Sequence, residues 1–107
     1  MSDYSPDNWV VIRVLSGDKP TYKVLAGWSG GYTQGDSWRM NSGIESVSFE
    51  GDCFLFKGFS GSVYRCHKDA YCLRMNNAHV WEEMRTRFPD KVSLMDEDTD
   101  WLAVDWG

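Results

Sequence analysis

The sequence predicts an α+β fold: a curled antiparallel β-sheet of five to seven strands packed on one α-helix. Three observations carry this. Short runs rich in β-branched and aromatic residues recur between glycine-containing turns. The stretch 44–50 alternates, with Val47 and Phe49 on one face and Ser46, Ser48 and Glu50 on the other. From Ala78 onward the apolar spacing changes from two to helical, at Val80, Trp81, Met84 and Phe88.

Each element has its own signal. Residues 1–8 are polar and expected to fray. Residues 9–15, rich in Val and Ile, read as a strand, and 16–20, with Gly17 and Pro20, as a turn. Residues 21–26 return as the second arm of a hairpin. A loop with four glycines fills 27–35, and a third strand fills 37–42 up to Gly43. Strand 44–50 turns at Gly51-Asp52 into 53–57, which is apolar on both faces and therefore central. A turn at 58–61 leads to strand 62–66. The helix runs to Phe88, with Asn76 or Asn77 as its N-cap and Pro89 as its stop. Glu82 and Glu83 precede Arg85 and Arg87, in the order the helix dipole favours. The helix is expected to bury Val80, Trp81, Met84 and Phe88 against Val47, Phe49, Phe54 and Phe56. Residues 92–95 and 101–106 read as short strands around an acidic loop, 96–100. The chain reads as a single domain over 1–107, because half of it would be too small to hold a core of its own.

Charge is the most uneven property. Residues 1–89 hold ten acids and ten bases, so they are neutral. Residues 90–107 hold Asp90, Asp96, Glu97, Asp98, Asp100 and Asp105 against Lys91 alone. The whole net charge of -5 therefore sits at one end. A negative balance has the wrong sign for electrostatic nucleic-acid binding, so no direct nucleic-acid contact is expected. The N-terminus has neither the basic nor the apolar region of a signal peptide, and no apolar run approaches the ~20 residues that span a bilayer. Three cysteines fit poorly with a disulfide framework, so a cytoplasmic protein with reduced thiols is expected.

Several constellations carry chemistry. Cys66, His67, Cys72 and His79 are ligand types for zinc, but the tight C-x2-C spacing is missing. Adjacent strand residues Cys66 and His67 would also face opposite ways. The same residues make a poor nucleophile pair, with only Asp69 near His67 to orient a base. The glycine-rich loop lacks the Gly-Lys-Ser/Thr of a phosphate cradle, and Asp36 would repel phosphate. No enzyme, cofactor or metal is expected. The loop does offer Trp28, Tyr32, Asp36, Trp38 and Arg39, a set suited to interface anchoring or to stacking a nucleotide base. Otherwise its aromatic rings simply roof the core.

The acidic end offers the sharpest candidate. Asp96, Glu97, Asp98, Asp100 and Asp105 are interleaved with Trp101 and Trp106. Carboxylates would steer a protein partner with a basic surface, and the indoles would add contact area. Such a surface would compete with nucleic acid for that partner. A calcium loop starting at Asp96 fails, because its sixth and twelfth positions are Trp101 and Gly107. A solvated loop before a final core strand is the plain alternative. A protein-binding module is thus the leading reading and a small-ligand or nucleotide-binding β domain the second. The oligomeric state is open, a dimer included.

The run from Ala26 to Tyr32, continued from Asp36 to Ile44, and the run from Ser60 to Lys68 resemble small uncharacterised accessory proteins of tailed bacteriophages. The resemblance covers the first two thirds of the chain and brings no assigned activity. It implies an accessory protein that acts in the host cytoplasm and binds and inhibits a host nucleic-acid-binding or defence protein. The acidic end lies outside it.

Overall fold

In a computed structural model the described residues form two facing four-stranded sheets with one helix laid on the outside. The structure describes residues 3–17, 19–28, 37–74, 77–104 and 106. The strands are β1 (Asp3–Tyr4), β2 (Asn8–Ser16), β3 (Lys19–Trp28), β4 (Ser37–Met40), β5 (Ile44–Glu50), β6 (Cys53–Gly58), β7 (Val63–His67) and β8 (Val92–Leu94). The helix α1 (Ala78–Arg87) lies between β7 and β8. One sheet has the order β1-β7-β6-β5 and the other β4-β3-β2-β8. Among these strands the pairings are antiparallel except β1 with β7, which is parallel, and an isolated parallel bridge joins Trp9 to Tyr71.

The single curled sheet expected from the sequence is therefore two sheets. The chain crosses between them at Asn41-Ser42-Gly43, directly after β4. Gly43 sits at φ +149°, where side chains are rare, and a Cβ there would lie 2.7 Å from the Phe59 ring. The Asn41 carboxamide oxygen accepts from the Val24 N–H at 2.9 Å and pins the crossing to β3.

Between the sheets lies the main core. Trp9, Val11, Val24 and Ala26 meet Ile44, Phe56, Tyr64 and Cys66, with Trp101 inserted among them. Trp9 is wholly buried and packs edge-on against Tyr71 at 4.8 Å and tilted against Phe56 at 5.3 Å. Its indole N–H donates to the His67 carbonyl at 2.7 Å. Burying a large aromatic with its one donor satisfied is the favourable case.

The opposite face of β2 and β3 forms a second core. Val10, Ile12 and Leu25 meet Val80 and Trp81 of α1 and Val92 of β8. The helix thus packs on the β2–β3 sheet and not, as the spacing alone implied, on Val47, Phe49, Phe54 and Phe56. The reason is steric: Phe54 and Phe56 already face the inter-sheet space that Trp9 fills. Phe88, expected to be buried, is 50% exposed, because α1 ends at Arg87 before it turns inward. Being covered on both faces explains why β2 is apolar at Trp9, Val10, Val11 and Ile12 without alternation.

Two terminal expectations also change. Residues 3–8 are ordered into structure: β1 pairs with β7, and Asn8 is wholly buried. The segment expected as a last strand begins instead with a turn at Trp101 to Ala103, where Leu102 N–H bonds the Asp100 carboxylate and Ala103 N–H the Asp100 carbonyl. Asp100 offers its neighbours local acceptors that compete with a strand ladder.

Candidate functional site

The outer edge of β2 is shared by two chain segments that diverge. At one end Trp9 N–H donates to the Ala70 carbonyl at 3.1 Å, and Cys72 N–H to the Trp9 carbonyl at 3.0 Å. At the other, β8 takes over, and Met95 N–H donates to the Val11 carbonyl at 2.9 Å. Tyr71 wedges between them. Its hydroxyl accepts from Val11 N–H at 3.2 Å and makes a short hydrogen bond to the Met95 carbonyl. Burial pushes the Tyr71 phenol up to about 12; the backbone hydrogen bond at Val11 opposes this, and the negative field of Asp96 and Glu97 adds to it.

Outside that wedge an open cleft of about 620 Å³ runs between the two segments. Its floor is Val10, one wall is Tyr71, Cys72 and Leu73, and the other is Leu94, Met95, Asp96 and Glu97. The acidic loop begins on the second wall. It is clamped at both ends by buried groups: Met95 by Val11 and Tyr71, and Trp101 by the core, where it is only 3% exposed. Between the clamps, Asp96, Glu97, Asp98 and Asp100 are all exposed. Thr99 holds the loop tight through its hydroxyl to the Asp96 carbonyl at 2.6 Å. Among the described residues the ion pairs are Lys68–Asp69, Glu82–Arg85 and Glu83–Arg87, and none reaches this loop.

The aromatic half of the acidic candidate is placed differently from the carboxylates. Trp101 is core, 5.5 Å from Trp9, and offers no contact area. Trp106 is half-buried, nearly parallel to Trp101 and edge-on to Tyr22 at 5.1 Å. Asp105 lies outside the described residues. The apolar partners of the carboxylates are instead Leu73 and Leu94, which sequence reasoning missed. Tyr71-Cys72-Leu73 is an apolar trio in a stretch with no assigned element, and that was the available signal.

The second candidate set divides. Tyr32 and Asp36 lie outside the described residues. Trp28 is half-buried, with its indole N–H on the Ser5 carbonyl at 3.0 Å and its ring edge-on to Tyr4. Arg39 covers the same Tyr4 ring at 4.7 Å. Trp38, the neighbour of Arg39 on β4, faces the other way and lines a groove with His79, Val80 and Met84 beside α1. Adjacent strand residues cannot share a face, so Trp38 and Arg39 do not clamp one ligand.

The thiols and imidazoles are similarly dispersed. Cys66 is buried in the core, and burial pushes its thiol well above the ordinary range. His67 is exposed on the opposite face of β7, where its Nδ1 accepts from Asp69 N–H at 3.1 Å. Among the described residues no three His, Cys, Asp or Glu side chains come together as a metal site. Compared with protein-family models, curated proteins and solved structures, the chain matches none.

Proposed function

We propose that the protein is a small protein-binding module whose acidic loop, with the cleft beside it, docks a partner that has a basic surface. One observation supports this reading above the rest. Four carboxylates stand exposed on a loop clamped at both ends, beside a cleft that Leu73 and Leu94 also line, and among the described residues no cation pairs with them. Repulsion among like charges costs stability, so a loop serving the fold alone gains by interleaving cations. Clamping keeps the charges in a constant arrangement and reduces the ordering cost of binding. The resemblance to phage accessory proteins extends the proposal to inhibition of a host nucleic-acid-binding or defence protein.

The test compares the native protein with an Asp96→Asn, Glu97→Gln, Asp98→Asn, Asp100→Asn variant. Binding of a short fluorescein-labelled Arg/Gly/Ser peptide is followed by anisotropy at low and at physiological salt. The native protein should bind it, more weakly as salt rises, since exposed charges are screened over ~8 Å at physiological ionic strength. The neutral variant should lose the binding. Equal binding by both proteins would rule out the loop as the contact.

A further inference from the structure

We infer that the cleft beside the acidic loop takes a single arginine or lysine side chain of the partner. This rests on the docking reading above and names its anchor. The cleft's composition matches an amphipathic side chain, with apolar and acidic lining side by side. Val10, Leu73 and Leu94 supply apolar lining, and the exposed Asp96 and Glu97 line the same cleft. An arginine or lysine has the complementary build, an aliphatic stem carrying a cation. A compact cation would leave the leucine walls unused, and a purely apolar side chain would face two carboxylates.

The four carboxylates are therefore not equivalent. Asp96 and Glu97 line the cleft, whereas Asp98 and Asp100 do not. Asp96 and Glu97 are also the pair whose field reaches the Tyr71 phenol in the cleft wall. Asp98 and Asp100 act as long-range attraction for a basic surface, and the cleft pair with the two leucines reads the stem. The Leu94 side chain is 37% exposed, so burying it under an aliphatic stem is favourable in its own right.

The experiment uses the full chain and two labelled peptides of equal charge. One carries arginines in a Gly/Ser background. In the other each arginine is replaced by 2-amino-3-guanidinopropionate, which keeps the guanidinium and loses two methylenes of stem. The arginine peptide should bind roughly fivefold tighter, as partial burial of those methylenes requires. Leu94→Ser should bring that ratio close to one. Asp98→Asn with Asp100→Asn should weaken both peptides alike and keep the ratio. Equal affinity of the two peptides for the native protein would overturn the stem-reading cleft and leave the acidic docking surface standing. Failure of both peptides to bind at low salt would remove the docking reading and the anchor together.

Discussion

Asn77 shows how a single residue holds layers together. It precedes α1 in the N-cap position, yet its side chain does not cap the helix. The amide is wholly buried and spent elsewhere: its oxygen accepts from Arg74 N–H at 2.9 Å and from the Asn8 amide at 3.2 Å, and its nitrogen donates to the Leu25 carbonyl at 3.3 Å. It ties β2, β3 and the start of the helix at one point. Asn77→Ala removes three hydrogen bonds, two of them buried, each worth about 0.5–1.5 kcal/mol. Urea denaturation should report a loss of about 2–4 kcal/mol with an unchanged slope. A loss near the ~0.5 kcal/mol of an ordinary cap change would show the network to be dispensable. The sequence placed an asparagine here for capping. Its actual partners are 3, 52 and 69 residues away, and local spacing carries no trace of the distant two.

Among the elements, the β4–β5 connection decides the architecture. A hairpin there would have continued one sheet. Instead Gly43 turns the chain across to the other sheet, with its carbonyl accepting from Phe59 N–H at 3.1 Å. Gly43→Ala forces a Cβ into the Phe59 ring and a side chain onto a disfavoured backbone angle. Thermal unfolding should show a loss of about 1–3 kcal/mol. Adding Phe59→Ala should relieve the clash and recover only part of it, because the backbone angle remains. Full recovery would mean that the backbone costs nothing. The strands themselves were legible. The alternation of 44–50 and the runs 53–57 and 62–66 correspond to β5, β6 and β7 to within a residue or so. The helix was legible for the same reason, since a periodic stretch is a local property. What α1 packs on was not, because two apolar sheet faces compete for it and the sequence does not rank them.

At the scale of the molecule, the layers bury two phenols, and this gives the fold a defined alkaline limit. Tyr64 and Tyr71 are both pushed from the ordinary 10.0 up to about 12, chiefly by burial. For Tyr64, Arg39 opposes the shift, and Tyr4 and Cys66 add to it. The unfolded chain gives up these protons near 10 and the folded chain near 12. Between those values the folded state holds more protons, so stability falls as pH rises. Below the lower value the contribution is complete. The urea midpoint should be flat with respect to these two groups up to about pH 10 and fall towards about pH 12. Tyrosinate absorbance should rise in step with the loss of structure, and Tyr71→Phe should shrink that late rise. A late rise unaffected by Tyr71→Phe would show that this phenol is not protected by the fold.

The amino-acid order by itself determined the β-rich content, the one helix, the glycine turns and the confinement of charge to 90–107. Each is a local or additive property of the chain. Only the tertiary structure decided that there are two sheets, that the helix lies on the β2–β3 face, and that Trp101 is core while its acidic neighbours face solvent. These follow from competition for a limited apolar interior. Trp9, Phe54, Phe56 and Trp101 meet there from distant parts of the chain. The acidic loop owes its place to the same cause, because burying Trp101 and pinning Met95 leaves the five residues between them on the surface.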